Sequence, residues 1–261
     1  MGLVRNLQEL KKYKTLVNAL TLRYLASRYR GSLLGFFWTF LNPLCLMLVY
    51  TVVFKFYMRF DDIDNYTIFL FVGLLPWMWA SSALTEASVS ISSSAHFITK
   101  SMFPPHILPT VATLTTFINF LLSLPLLFIF MFFFKVPFYS TILYLPLVII
   151  LQFILLYSLG LILSVMNVYL RDTQHLLGNI LTFLFFLSPI LYPVEKVPAK
   201  FKWTLNLNPF ASFTSAYHRL ILDGKIPEAS LIYMMLGYTI FSLIIAIMVY
   251  DRHKENIVDL L

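Results

Sequence analysis

Charge is what this sequence has least of. Asp, Glu, Lys and Arg together make up 12% of its 261 residues, where an ordinary soluble domain carries about a quarter. A chain of this length with half the usual charge cannot cover a fully hydrated surface. The charge that remains is unbalanced, with a formal net of +7. A scarce set of basic residues loaded toward one end fits a membrane surface and argues against a nucleic-acid partner. There is a single cysteine, Cys45, so no internal disulfide can form; inside an apolar run it reads as a small lipid-facing or buried residue. Glycine is scarce as well. None of the eight belongs to a Gly-x4-Gly-Lys-Ser/Thr phosphate loop, since Gly224-Lys225 is followed by Ile226. The chain is therefore expected to hold no ATPase site and no cofactor of its own. His96, His106, His175, His218 and His253 are scattered without metal-ligand spacing, and no catalytic constellation emerges.

What is present in abundance is apolar. Hydrophobic residues reach 59% and mean hydropathy is +0.81. Uncharged runs fall at 31–54, 65–85, 101–134, 136–170, 173–194 and 229–250, each near or above the roughly 20 residues an α-helix needs to cross a bilayer. Pro104, Pro105 and Pro109 trim the third run and Pro137 and Pro146 the fourth. The predicted architecture is an all-α integral membrane protein with six spans, at about 33–56, 66–86, 109–134, 142–168, 174–193 and 230–250.

Residues 1–30 carry seven Lys or Arg, while the first connection after a span sets Arg59 against Asp61, Asp62 and Asp64. The positive-inside rule puts the N-terminus in the cytoplasm, and an even span count returns the C-terminus there. Segment 195–228, external on this reading, carries five basic residues and argues the other way, but a late, long loop weighs less. Residues 1–30 read neither as a signal peptide nor as a span. Leu3, Leu7, Leu10, Tyr13, Val17, Leu20 and Tyr24 recur every three or four positions, forming one apolar stripe of an amphipathic interface helix. Such a helix is a simple anchor or a platform for a cytoplasmic partner. The chain thus divides into that helix, 1–30, and a transmembrane domain, 31–261.

Segment 195–228 is apolar but broken. Its longest uncharged run, Trp203 to His218, is interrupted by Asn208-Pro209. A re-entrant or interfacial helical pair on the external face is expected, with an ordinary folded loop as the alternative. Glu86 is the one acid placed inside a predicted span, and an intramembrane carboxylate is a functional candidate; solvation at the helix end is the other reading.

Three stretches carry a resemblance. Arg28-Tyr-Arg30-Gly31-Ser32-Leu-Leu-Gly35-Phe-Phe-Trp38-Thr-Phe-Leu41-Asn42-Pro43 is similar to the start of permease subunits of polysaccharide-exporting ABC transporters of the ABC-2 type, which serve O-antigen, capsule and teichoic-acid export. His96 to Pro109 resembles that family's Lys-x-x-Phe-Pro-x-x-Ile-Leu-Pro coupling element, with Pro105 and His106 where a basic and an acidic residue are usual. Asn167-Val-Tyr-Leu-Arg171-Asp172-Thr-Gln174-His175 resembles its Asn-x-x-x-Arg-Asp-x-x-His element.

The resemblance implies a permease of the bacterial inner (plasma) membrane. It would work as a homodimer with one separate nucleotide-binding subunit per copy, which binds the ATP and Mg, and would export a lipid-linked polysaccharide. It further implies ATPase coupling through Phe97, Lys100, Phe103, Pro104, Arg171 and Asp172; for Arg171 and Asp172 the alternative is a structural role, opposite charges at a helix end that pin the membrane border. Phe, Tyr and Trp total 17%, and sugar C–H faces pack on rings. Phe36, Phe37, Trp38 and Phe40, Trp77 and Trp79, and Phe183, Phe186 and Tyr192 are the candidate lining of a sliding path; membrane-facing rings are the competing explanation. A drug or lipid permease and a non-transport scaffold remain the alternative functions.

Overall fold

The structure, a computed structural model, describes residues 8–59, 63, 65–94 and 103–260. Among these residues every regular element is helical. Residues 8–12 form a helical turn that leads into α1 (Lys14–Tyr29). A 3-10 turn (Gly35–Phe37) then enters α2 (Trp38–Thr51), which continues as a π-helical stretch (Val52–Tyr57). α3 (Tyr66–Ser90) and α4 (Ile107–Phe133) follow. A 3-10 turn (Ser140–Tyr144) opens α5 (Leu145–Tyr169), with Pro146 in its first turn, where a missing N–H does no harm. Then come α6 (Thr173–Phe186), the short α7 (Lys202–Leu207), α8 (Pro209–Ile221) and α9 (Ala229–Asp259).

Among the described residues five helices are long and apolar enough to cross a membrane: Gly35–Tyr57, Tyr66–Ser90, Ile107–Phe133, Ser140–Tyr169 and Ala229–Ile257. They fall on five of the six predicted spans. The span expected at 174–193 differs. α6 has 14 residues, about 21 Å at 1.5 Å per residue, and so falls short of the roughly 30 Å hydrocarbon core. The cause is local: after Phe186 the chain turns through Leu187, Ser188 and Pro189, with the Ile190 N–H donating to the Ser188 carbonyl at 2.8 Å. An uncharged run bounds a helix from above; it does not say that all its residues stay helical.

α3 is the central post. It packs against α2, α4, α5, α6 and α8, and residues 66–77 are all buried. Small side chains make this possible. A Cβ on Gly160 of α5 would lie 2.8 Å from the Ala87 Cβ of α3, and one on Gly73 would press on Ile190, Thr214 and His218 at 3.2–3.3 Å. Close approach through small residues is the usual way apolar helices gain packing contacts in a lipid setting, where water supplies no driving force. Buried Gln152 of α5 adds a polar tie, donating from Nε2 to the Pro76 carbonyl at 3.1 Å.

Candidate translocation and coupling surfaces

At the end of the molecule that carries α1, a second apolar cluster gathers Val17, Ile91, Phe103, Ile107, Val165, Tyr250 and Ile257. Leu10, Tyr13 and Leu20 pack against it, so the predicted stripe faces protein from Leu10 to Leu20, while Tyr24 is exposed. Leu3 and Leu7 lie outside the described residues. Thr21 is buried here too, its hydroxyl donating to the Val17 carbonyl at 2.8 Å.

The coupling element expected at 96–109 is described only from Phe103 onward; Phe97 and Lys100 lie outside the described residues. Phe103 differs from the expectation that its ring projects to a partner. It is 7% exposed, within the cluster, so it pins the segment to the helices behind it. Pro104 is half-buried beside it. His106 is fully buried at the start of α4, its Nδ1 2.9 Å from the Tyr250 hydroxyl of α9 and 3.8 Å from Glu9 Oε2. One imidazole thereby ties three distant stretches of chain together. Asn167 Nδ2 donates to Ser92 Oγ at 2.8 Å, joining the end of α5 to the end of α3. Arg171 and Asp172 are exposed. Asp172 occupies the N-cap position of α6 without a side-chain cap bond, and Thr173 donates to the Leu170 carbonyl at 2.6 Å instead. The Asp172 carboxylate still complements the positive end of that helix.

Glu86 forms an ion pair with Arg28, each side chain about one-third exposed. The candidate intramembrane acid is therefore charge-compensated, and the pair fastens the end of α1 to α3.

The candidate path residues divide into three groups. Phe36, Phe37 and Trp38 at the start of α2 and Phe183 and Phe186 on α6 are exposed, Phe37 and Phe183 most of all at 71% and 70%. Phe40 and Tyr192 are half-buried. Trp77 and Trp79 are buried in the packing, and each also lines a cleft beside α3. Trp77 meets Phe185 and Phe210 with centroids 5.6 and 5.5 Å away, and Trp79 stacks on Phe120 at 4.6 Å. Between α2, α3 and α6 runs a groove of about 470 Å³, where Tyr50, Trp77 and Phe186 stand beside Ser81, Ser82, Thr85 and Thr182. Rings and hydroxyls interleave along this wall.

At the opposite end, Asn208 is the hinge of the α7–α8 pair. Its Oδ1 accepts from the Phe210 N–H at 3.0 Å, capping α8, while Nδ2 donates to the Leu184 carbonyl and Ser188 Oγ at 3.1 and 2.8 Å. α8 is buried along most of its length against α3, α5 and α9. His218 lies flat on Phe69, centroids 4.1 Å apart, with Nε2 3.0 Å from the Phe69 carbonyl. Burial lowers its pKa from 6.5 to about 4, partly opposed by that carbonyl, so the ring is neutral at pH 7 and donates. Tyr66 closes the same end, its hydroxyl donating to the Leu191 carbonyl at 2.9 Å.

Residues 15–222 match the profile of the ABC-2 type transporter family. The chain belongs to that family. It is 36% identical over 260 residues to the O-antigen export system permease protein RfbA of Myxococcus xanthus, an alignment covering 98% of this chain and 99% of that one. Identity to an O-antigen export system permease protein RfbA of Klebsiella pneumoniae is 32% over 212 residues, 81% of this chain and 82% of the relative. The polysialic acid transport protein KpsM of Escherichia coli is 26% identical over 246 residues, 93% and 95% of the two chains.

Within this ABC-2 chain, sequence reasoning missed His106, Asn208 and the serine–threonine wall of α3. The two former are single polar residues in apolar surroundings, and such residues demand partners when buried. The wall had a readable signal: Ser81, Ser82 and Thr85 share a helical face at i, i+1 and i+4.

Proposed function

We propose that this chain is the membrane-spanning permease of an ATP-driven exporter that carries a lipid-linked, O-antigen-like polysaccharide from the cytoplasm across the bacterial inner membrane. The observation that carries this reading is the end-to-end similarity to a relative named for O-antigen export. The groove of rings and hydroxyls supports it, because weak, repeated contacts suit a polymer that must slide without a deep binding minimum.

The finer topology follows from the same reading. α1 lies at the cytoplasmic face, where the basic N-terminal residues favour it. α6 and the turn to Tyr192 make the fifth of six crossings together, and α7 and α8 form a re-entrant pair on the external side. α8 can rest at membrane depth because Asn208 satisfies its first turn and neighbouring helices cover it. Both termini are then cytoplasmic. ATP and Mg are held by a separate nucleotide-binding subunit, which docks on the segment 97–104 through Phe97, Lys100 and Pro104, with buried Phe103 anchoring that segment from behind, and on exposed Arg171 and Asp172. Two permeases and two ATPases form the working assembly, with the exposed faces of α2 and α6 turned toward the second copy.

The test is replacement in a strain that lacks its own O-antigen export permease. With this chain and its ATPase supplied, antibody to the glycan should label intact cells. Membrane-inserted permease with ATPase present, and glycan detectable only after lysis, would overturn the reading.

A further inference from the structure

A cleft of about 360 Å³ opens between the start of α2, the middle of α3 and α4, adjoining the α2–α3–α6 groove, with which it shares Met78 and Ser82. That volume lies within the roughly 300–1,000 Å³ usual for small-ligand sites. For a space between membrane helices its lining is strongly polar: the amides of Asn42 and Asn119 and the hydroxyls of Ser32, Ser82 and Thr116. Thr116 directs its proton to the Thr113 carbonyl at 3.0 Å, which leaves its oxygen lone pairs to accept.

Trp79 supplies the sharpest observation. It lines this cleft and is 3% exposed, and its Nε1 is buried with no hydrogen-bond partner among the described residues. An indole N–H can only donate, and leaving such a donor unpaired in the interior costs about 1–3 kcal/mol. No described residue accepts from it, and a ligand oxygen that reaches it as the cleft's lining yields relieves that cost. One face of the ring is already taken by Phe120. Trp38 at the cleft's edge is fixed by donating to Ser32 Oγ at 2.9 Å while its ring stays 38% exposed, a platform for an apolar ligand face.

Charge narrows the ligand class. Arg28 borders the cleft, but Glu86 neutralises it, so no uncompensated cation awaits an anion. An unpaired N–H repels a metal ion, and an acyl chain would leave every polar group dry. Amides, hydroxyls and an indole ring around a neutral space match a ligand that is polyhydroxylated on its rim and apolar on its faces.

We propose that this cleft is a saccharide-binding site within a single protomer, taking one or two sugar units of the transported glycan; the identity of that glycan rests on the export reading above. Trp79 Nε1 donates to a ring or hydroxyl oxygen, Asn42 and Asn119 pair with vicinal hydroxyls, and Trp38 covers a C–H face. Held there, the end of a chain is presented beside the groove before it slides.

The experiment uses the full chain with its ATPase in lipid nanodiscs. Saturation-transfer difference NMR is recorded with the methyl glycosides of glucose, galactose, mannose, rhamnose and N-acetylglucosamine, and with inorganic pyrophosphate as competitor. At least one glycoside should bind. Its affinity should fall about fivefold or more with Trp79→Phe, the effect of losing one hydrogen bond of about 1 kcal/mol, and likewise with Asn42→Ala at the exposed rim. Phe241→Ala, on the outer face of α9, should change nothing. Absence of binding by every glycoside, binding indifferent to both cleft variants, or displacement by pyrophosphate would each overturn the site. Surface display of the glycan in cells separates the two readings. Intact display without glycoside binding removes the cleft alone, whereas absent display removes the export function.

Discussion

α2 and α3 present nearly the same mean hydropathy, 1.8 and 1.6 in their most apolar windows, yet 17% of that window is buried in Gly35–Tyr57 and 83% in Tyr66–Ser90. Hydropathy therefore says which segments leave water and nothing about what they meet there. The distinction lies in side-chain size. α3 offers Gly73, Ala80, Ala83, Ala87 and Ser88 to its neighbours, all buried, so other backbones come close on several sides. α2 offers Phe37, Leu46, Leu48 and Val49, all exposed. A protein that buries one apolar helix and displays another has a core complete within one protomer and a face that lipid or a second copy must cover.

The comparison breaks most violently at Gly160. Gly160→Leu drives a branched side chain into Ala87, already 2.8 Å from where a Cβ would stand. Overpacking typically costs about 1–3 kcal/mol, and at a backbone-close contact the upper end applies. The thermal midpoint of the detergent-purified permease should drop by several degrees, or the protein should be lost from the membrane. Gly178→Leu on α6, where nothing lies within 4 Å, is the matched control and should hold the midpoint or raise it slightly, because leucine favours a helix over glycine. Equal effects would mean that α3 is no more tightly packed than the outer helices.

His218 tests the far end of α3 by pH. Its folded-state pKa, about 4, lies below the ordinary 6.5. Above pH 6.5 the ring is neutral in both states and the folded protein keeps its full stability. Between 6.5 and 4 the unfolded chain binds a proton that the folded one excludes, so stability falls as pH falls. The ceiling on that loss is about 3 kcal/mol. Melting at pH 7 and pH 4.5 should show the decline, and His218→Gln should flatten it. An unchanged pH slope in the variant would assign the decline to other groups.

How much of this was legible beforehand depends on what a residue pattern can encode. The five long helices follow from uncharged runs, because excluding charge over 20 residues has few other uses. The α1 stripe follows from period: Leu10, Tyr13, Val17 and Leu20 lie on one side and that side is packed. The end of α6 was misjudged because Leu187 to Tyr192 is as apolar as the helix before it. Among the path candidates, Trp77 and Trp79 were grouped with Phe36 and Phe183 by ring chemistry alone. Burial separates them, and burial depends on the small residues of a different helix. His106 was unreadable for a similar reason, since its partner Tyr250 stands 144 positions away.

A smaller effect is expected where α1 meets α3. Arg28 and Glu86 are each about one-third exposed, so solvent screens them and a coupling energy of about 0.5–1 kcal/mol is expected. Either single change, Arg28→Gln or Glu86→Gln, should destabilise by more than its share of the double variant, and a double-mutant cycle on thermal unfolding measures the difference. Additivity within error would make the pair a bystander.

The least effect on stability, and the most telling for function, belongs to the displayed face. Phe37→Ala and Phe183→Ala remove rings that are 71% and 70% exposed, and exposed substitutions ordinarily shift stability by no more than about 0.5 kcal/mol. If these rings only face lipid, the double variant melts, assembles and exports like the parent. If they line a path shared by two copies, removing them widens it, because alanine fills little of the volume a phenyl ring occupied. The resting complex should then leak ions across a planar bilayer, or export should decline with assembly unchanged. Conductance and surface display together decide. A tight, fully active double variant would move the path away from α2 and α6 to helices whose rings are now counted as packing.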